Sequence, residues 1–170
     1  MLAQKLDKKK LLQLAGADLQ RVGALAREDK ATKWTLVTIA KSPPPPDSGR
    51  FFRSLEDHVD APDKKASYLT MVAELCSAIE VDDYQAALKV GTVSVKAAHH
   101  FKYGGHKHAV WELKYGKKDR IYFYPHPQER LIFLLMAYHK KDQQTPEDVC
   151  AACERDIKLI LDPKCKIDFC

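Results

Sequence analysis

The chain has 170 residues, 45% hydrophobic and 30% charged, which suits one ordinary domain with a solvated surface, and no apolar run reaches the ~20 residues that cross a bilayer. The basic start, Lys5 to Lys10, is followed only by a short broken apolar stretch. That layout does not read as a secretory signal, and a cytoplasmic protein that does not engage membranes is expected.

Residues 4–27 are predicted to form a helix, with Leu6, Leu11, Leu14, Leu19, Val22 and Leu25 roughly on one face and Gly16 and Gly23 weakening it. Residues 28–32 are a polar connector. Residues 34–40 form a strand by their β-branched content. Pro43 to Pro46 cannot continue it, because proline donates no ladder hydrogen bond, and this run is a stiff extended link. Ser48 is placed to cap a helix carrying Phe51, Phe52, Leu55 and Val59. Residues 60–63 interrupt the pattern. A second helix over about 64–80 carries Tyr68, Leu69, Val72, Leu75 and Ile79, and a short helix or turn over 82–90 ends at Gly91.

Beyond Gly91 the pattern changes. Residues 92–98 are weakly strand-like, and 101–108 are a loop rich in glycine, histidine and lysine. Strands follow over 109–115, 120–124 and 131–138, separated by turns at 116–119 and 125–127, and the last, being the most apolar, is expected at the centre. Thr145, Pro146, Glu147 and Asp148 open a helix in the order cap, proline, acids, and it runs to about Leu161, where Asp162 and Pro163 end it. The expected fold class is α+β: a small antiparallel-dominated sheet with helices on one face. Residues 1–32 are an N-terminal helical extension, 33–162 the domain and 163–170 a tail.

Charge is concentrated in the second half. Residues 96–141 hold ten Lys or Arg against three acids, a balance of +7, whereas the whole chain carries +5, and six of the seven histidines lie there as well. Such a face suits a polyanion, against the plainer reading of a lysine-rich solvated surface.

Several segments together resemble the RelE/HigB toxin superfamily, in particular its phage-derived HigB-like branch. They are Trp111-Glu-Leu-Lys114, Arg120-Ile-Tyr-Phe123, the apolar strand ending at Tyr138, Lys140-Lys141, Thr145-Pro146 and Ala151-Ala152 with Arg155. The match covers roughly residues 95–160. Lys114 stands where the family usually has arginine, and Asp142 and Gln144 where threonine and lysine are common. The resemblance implies a RelE-like sheet and a toxin of a type II toxin–antitoxin pair. Such a toxin cuts messenger RNA on the ribosome and is silenced by a cognate antitoxin.

Cleaving RNA without a metal or cofactor requires a base for the 2′-hydroxyl, cations for the dianionic phosphorane and an acid for the 5′-oxygen. Arg120 is expected to clamp phosphate, Lys114 to assist from the neighbouring strand and His139 to serve as base. Lys102, His106, Lys107, His108, Lys118, Lys140 and Lys141 are candidates for RNA binding, and Tyr138 for stacking on a base, each against the reading of an ordinary surface or core residue.

Two readings compete with the ribonuclease. One is a module of the same fold that binds RNA or a protein without cutting. The other is a zinc-stabilised protein using Cys150, Cys153, Cys165 and Cys170. Its first pair lies on a predicted helix where small cysteines commonly pack in the core, so no metal site is expected. The N-terminal helix has four expected uses: covering the sheet, docking on the core, binding the antitoxin, or joining two chains as a homodimer.

Overall fold

The computed structural model describes residues 1–14, 16, 31–40, 49–141 and 144–170. The remainder of the helix expected over 4–27, most of the 28–32 connector, the four-proline link, the Ser48 cap and Asp142 lie outside the described residues. The elements in chain order are β1 (Leu2–Lys5), α1 (Lys8–Leu14), β2 (Thr35–Ile39), α2 (Arg50–His58), α3 (Pro62–Ala78), α4 (Tyr84–Lys89), β3 (Ser94–Tyr103), β4 (His106–Tyr115), β5 (Asp119–His126), a 3₁₀ turn (Pro127–Glu129), β6 (Leu131–His139), α5 (Glu147–Leu161) and β7 (Asp168–Phe169).

The strands form one mixed sheet in the order β3-β4-β5-β6-β2-β1-β7. β3 to β6 are an antiparallel meander, β6 runs parallel to β2, β2 antiparallel to β1, and β1 parallel to β7. β6 is the central strand, as its composition predicts, and Leu131 to Ala137 are all buried. A strand covered on both faces is apolar at every position rather than at alternate ones.

That double cover corrects the expectation of helices on one face. α1 to α4 pack against Leu113, Ile121, Phe123, Ile132 and Leu134 in one core. On the opposite face, α5 packs Val149, Ala152, Cys153, Ile157 and Ile160 against Val110, Tyr122, Tyr124, Leu131 and Phe133. Both parities of β5 and β6 are apolar, so each face must be shielded from water.

The N-terminal segment also differs from the expected helix, because residues 2–5 are a strand. Asp7 accepts the Lys10 N–H at 2.6 Å through its carboxylate and the Leu11 N–H at 3.1 Å through its carbonyl, so it caps α1 and the helix does not reach back to Gln4. α1 buries Leu11 and Leu12 in the chain's own core. The loop expected over 101–108 is instead a hairpin. Tyr103 pairs with His106 across Gly104 and Gly105, whose φ of +57° and +79° form the tight turn that glycine favours. Residues 163–170 are more than a tail, since β7 pairs with β1.

α2 takes over the edge of β6 where β2 ends. The parallel pairing stops at Val37 opposite Phe133. Further along, the Ser54 hydroxyl accepts the Ala137 N–H at 2.8 Å and donates to the Phe51 carbonyl at 2.6 Å. A side chain thus satisfies a buried strand donor that would otherwise be orphaned, and this seats His58, the last residue of α2, beside Tyr138.

Candidate functional site

Register across the meander determines which expected site residues meet. Lys114, Arg120 and Tyr138 form one cross-strand row, and Glu112, Tyr122 and Met136 another. Alternate residues of a strand share a face, so both rows lie on the side of Val110 and Tyr122, which is the α5 side. Asp119 lies opposite His139 in the adjacent row, and that pair belongs to the other face.

On the α5 side the centre is Glu112, 1% exposed. Lys96 Nζ stands 3.5 Å from its Oε1, and Arg120 Nε and Lys140 Nζ stand 3.5 and 3.6 Å from its Oε2. Neither carboxylate oxygen has a hydrogen-bond partner, and nor does Arg120 Nε. Arg120 and Lys140 are each only 5% exposed. The Arg120 terminal nitrogens donate to the Asp119 carbonyl at 2.8 Å and the Lys117 carbonyl at 2.9 Å. The arginine therefore braces the β4–β5 turn from inside. Burial pushes the Lys140 ammonium below the ordinary lysine range, with Glu112 opposing the shift. A cavity of about 620 Å³ opens beside this cluster between β3 and α5, with Glu112 and Lys140 among its lining. At its lip His99 Nε2 lies 3.1 Å from Glu154 Oε2.

The second cluster occupies the sheet rim. His139 Nδ1 lies 2.7 Å from Asp119 Oδ1, both side chains half-buried. The His58 ring lies 4.4 Å from the Tyr138 ring. Burial lowers the His58 pKa from its ordinary value, so the neutral imidazole is favoured near neutrality. Lys118 and Lys141 are exposed at the same end, and the Lys140 N–H donates to the Lys118 carbonyl at 2.9 Å, tying the turn to the end of β6.

The hairpin tip is elsewhere. Lys102 and Lys107 face each other across β3 and β4 beside His106. Eight residues of extended β4, roughly 27 Å, separate His106 from Lys114. His108 is further engaged with the Tyr124 hydroxyl at 3.2 Å. The structure thus brings Lys114, Lys118, Arg120, Tyr138, His139, Lys140 and Lys141 to one end of the meander and leaves Lys102, His106, Lys107 and His108 at the other.

Sequence reasoning missed Glu112, Asp119 and His58. Glu112 carried a signal, since it follows Val110 at strand spacing and so places an acid on an inward face. Asp119 and His58 carried none, because their partners come from register and from the placement of α2.

The cysteines show no activated thiol in α5. Burial raises the pKa of Cys150 and Cys153 above the ordinary thiol value, which disfavours the thiolate that metal binding or redox exchange uses. Among the described residues no group of three or more His, Cys, Asp or Glu is placed to hold a metal ion. Among them, too, no helix is long and apolar enough to cross a membrane.

No protein-family model, curated protein or solved structure matches the chain.

Proposed function

We propose that the chain is a metal-independent endoribonuclease of the toxin type that residues 95–160 resemble. It would be a cytoplasmic protein that cuts messenger RNA in association with the ribosome and is held inactive by a cognate antitoxin. The antiparallel meander followed by α5 supports the RelE-like part of this reading. The single observation that carries the chemistry is the half-buried His139–Asp119 pair at 2.7 Å, with lysines and a second imidazole at the same rim.

The rim divides the proton transfers between two histidines. His58, kept neutral by burial, takes the proton from the ribose 2′-hydroxyl. The 2′-oxygen attacks phosphorus, and the exposed lysines at this end of the sheet, Lys118 and Lys141, stabilise the dianionic phosphorane. Asp119 holds His139 Nδ1, which leaves Nε2 to deliver a proton to the departing 5′-oxygen. The products are a 2′,3′-cyclic phosphate and a 5′-hydroxyl. Asp119 acts through His139 and is a positioning residue.

Induced expression in a bacterial host with mapping of new RNA ends tests this. Growth arrest with 5′-hydroxyl ends inside codons is expected, falling about 100-fold or more in His139→Ala, the usual scale for losing a proton-transfer group. Unchanged ends with soluble, folded wild-type protein would overturn it.

One observation favours a second reading. The Arg120 guanidinium is buried and its terminal nitrogens are engaged with backbone carbonyls. The residue that the resemblance assigns to phosphate therefore braces a turn, as in a module that binds RNA or a partner protein without cutting. RNA retention with no cyclic-phosphate product would select that module.

A further inference from the structure

The ribonuclease chemistry leaves the β3–β4 hairpin unused. β3 is the outermost strand at that end of the sheet, ten residues long, with β4 as its neighbour. The tight turn at Gly104 and Gly105 makes Tyr103 and His106 a hydrogen-bonded pair, and such pairs alternate along an antiparallel ladder. Tyr103, Phe101 and His99 therefore turn their main-chain groups toward β4, and Lys102 and His100 turn theirs outward. Among the described residues no group bonds to those outward N–H and C=O groups. Charge is one-sided over the same stretch. Residues 94–111 hold three lysines and four histidines and no Asp or Glu apart from none at the edge itself. Glu112 and Glu154, which reach β3 from its neighbours, stand beside Lys96 and His99 on the α5 face. His100, Lys102 and Lys107, which lies directly opposite Lys102, share the other face, and all three are exposed. The edge thus carries open main-chain groups and basic side chains on the same two residues.

We propose that the outer edge of β3 receives an extended acidic segment of a partner protein as an added strand, with Asp or Glu at alternate positions opposite His100 and Lys102. An added strand is held by its main chain and selected by its alternate side chains. Two other occupants match less of what the edge offers. The phosphates of RNA only accept, so they suit the lysines and the outward N–H groups and leave the outward carbonyls without a donor, whereas a polypeptide strand supplies both partners. A second copy of β3, which holds no acid, would bring cations against cations, and like charges directly opposite are unfavourable. The lysines and the bulge between Ala97 and His99 thus guard the edge against self-pairing while admitting a strand of opposite charge. The inference does not depend on RNA cleavage, since the hairpin tip lies at the far end of the meander from the rim.

Fluorescence anisotropy tests it, with the full chain titrated into a labelled peptide of alternating glutamate and valine near neutral pH. The peptide binds, and its counterpart with lysine in place of glutamate binds at least about tenfold more weakly. Lys102→Glu, at an exposed position, keeps the wild-type circular dichroism and also loses about tenfold. N-methylating every glutamate of the peptide removes the N–H groups that face the edge and abolishes binding, while N-methylating every valine leaves it intact. No binding of the acidic peptide, or equal loss with the two methylated peptides, would overturn the added strand, the second by leaving charge attraction alone. Oligouridine binding more tightly than the peptide, with the same loss in Lys102→Glu, would overturn it in favour of RNA. A concentration-dependent dimer of the wild type that Lys102→Glu abolishes would overturn it in favour of a second copy.

Discussion

Arg120 is subject to two demands that one side chain cannot meet together. A phosphate clamp presents its guanidinium to solvent, whereas this guanidinium lies inside the sheet, bonded to the carbonyls of Lys117 and Asp119 and 3.5 Å from Glu112. Removing Arg120 deletes two charged hydrogen bonds to backbone carbonyls, each worth about 1.5–3 kcal/mol. Arg120→Ala is therefore expected to lower unfolding stability by about 3 kcal/mol or more in urea titration. Arg120→Lys should not restore it, because lysine lacks the planar fork that reaches two carbonyls at once. Lys114→Ala, in the same row but half-exposed, should cost about 1 kcal/mol or less. Equal, small losses in the two variants would show that Arg120 is not a structural brace. The comparison bears on function too, since lost RNA cleavage in Arg120→Ala alone would report unfolding as readily as chemistry, while His139→Ala acts on the opposite face of the sheet from this buried cluster.

The same separation of brace from rim operates among the elements, where α2 decides whether the rim forms. Its first turn follows Gly49, at φ 133° and ψ 173°, a region that is essentially glycine's alone, and a Cβ there would be driven into the Ile39 carbonyl at the end of β2. Gly49→Ala is expected to cost about 2–3 kcal/mol by urea titration. Gly116→Ala, at φ 59° in open space, should cost about 1 kcal/mol. Similar losses in both would mean that the Gly49 backbone shifts freely. This junction was not legible in sequence, because it depends on Ile39 and Gly49 meeting across residues 41–48. Local signals read well wherever one element carried them. The apolar run of β6 marked the central strand, and Asp162-Pro163 marked the end of α5. Two local signals were present but outweighed: the Gly104-Gly105 pair marks a hairpin, and Asp7 marks a helix start. The candidate site was legible as a set of residue types near one end of the meander. Its pairings were not, since Asp119 and His139 are twenty residues apart and meet only through register, and the cations around Glu112 come from β3, β5 and the end of β6.

Across the whole molecule, one sheet joins the segments expected as extension, domain and tail. β2 pairs with β6 from Thr35 opposite Leu131, a contact between residues far apart in the chain, and a topology of such long-range contacts slows folding. β1 then adds outside β2, and β7 outside β1, with the Cys170 N–H donating to the Ala3 carbonyl at 3.1 Å and Lys5 Nζ 4.8 Å from the centre of the Phe169 ring. An uncovered strand edge offers unpaired N–H and C=O groups to any passing chain, and β7 covers that edge of β1 with very few residues. Deleting residues 164–170 is therefore expected to have two consequences. Thermal unfolding should shift down by several degrees, since 1 kcal/mol corresponds to about 2–4 °C in a chain of this size. The shortened chain should also self-associate as its concentration rises, seen by light scattering after size exclusion, because β1 becomes an edge strand. An unchanged midpoint and a concentration-independent mass would show that β7 protects nothing and that the sheet ends, in energetic terms, at β1.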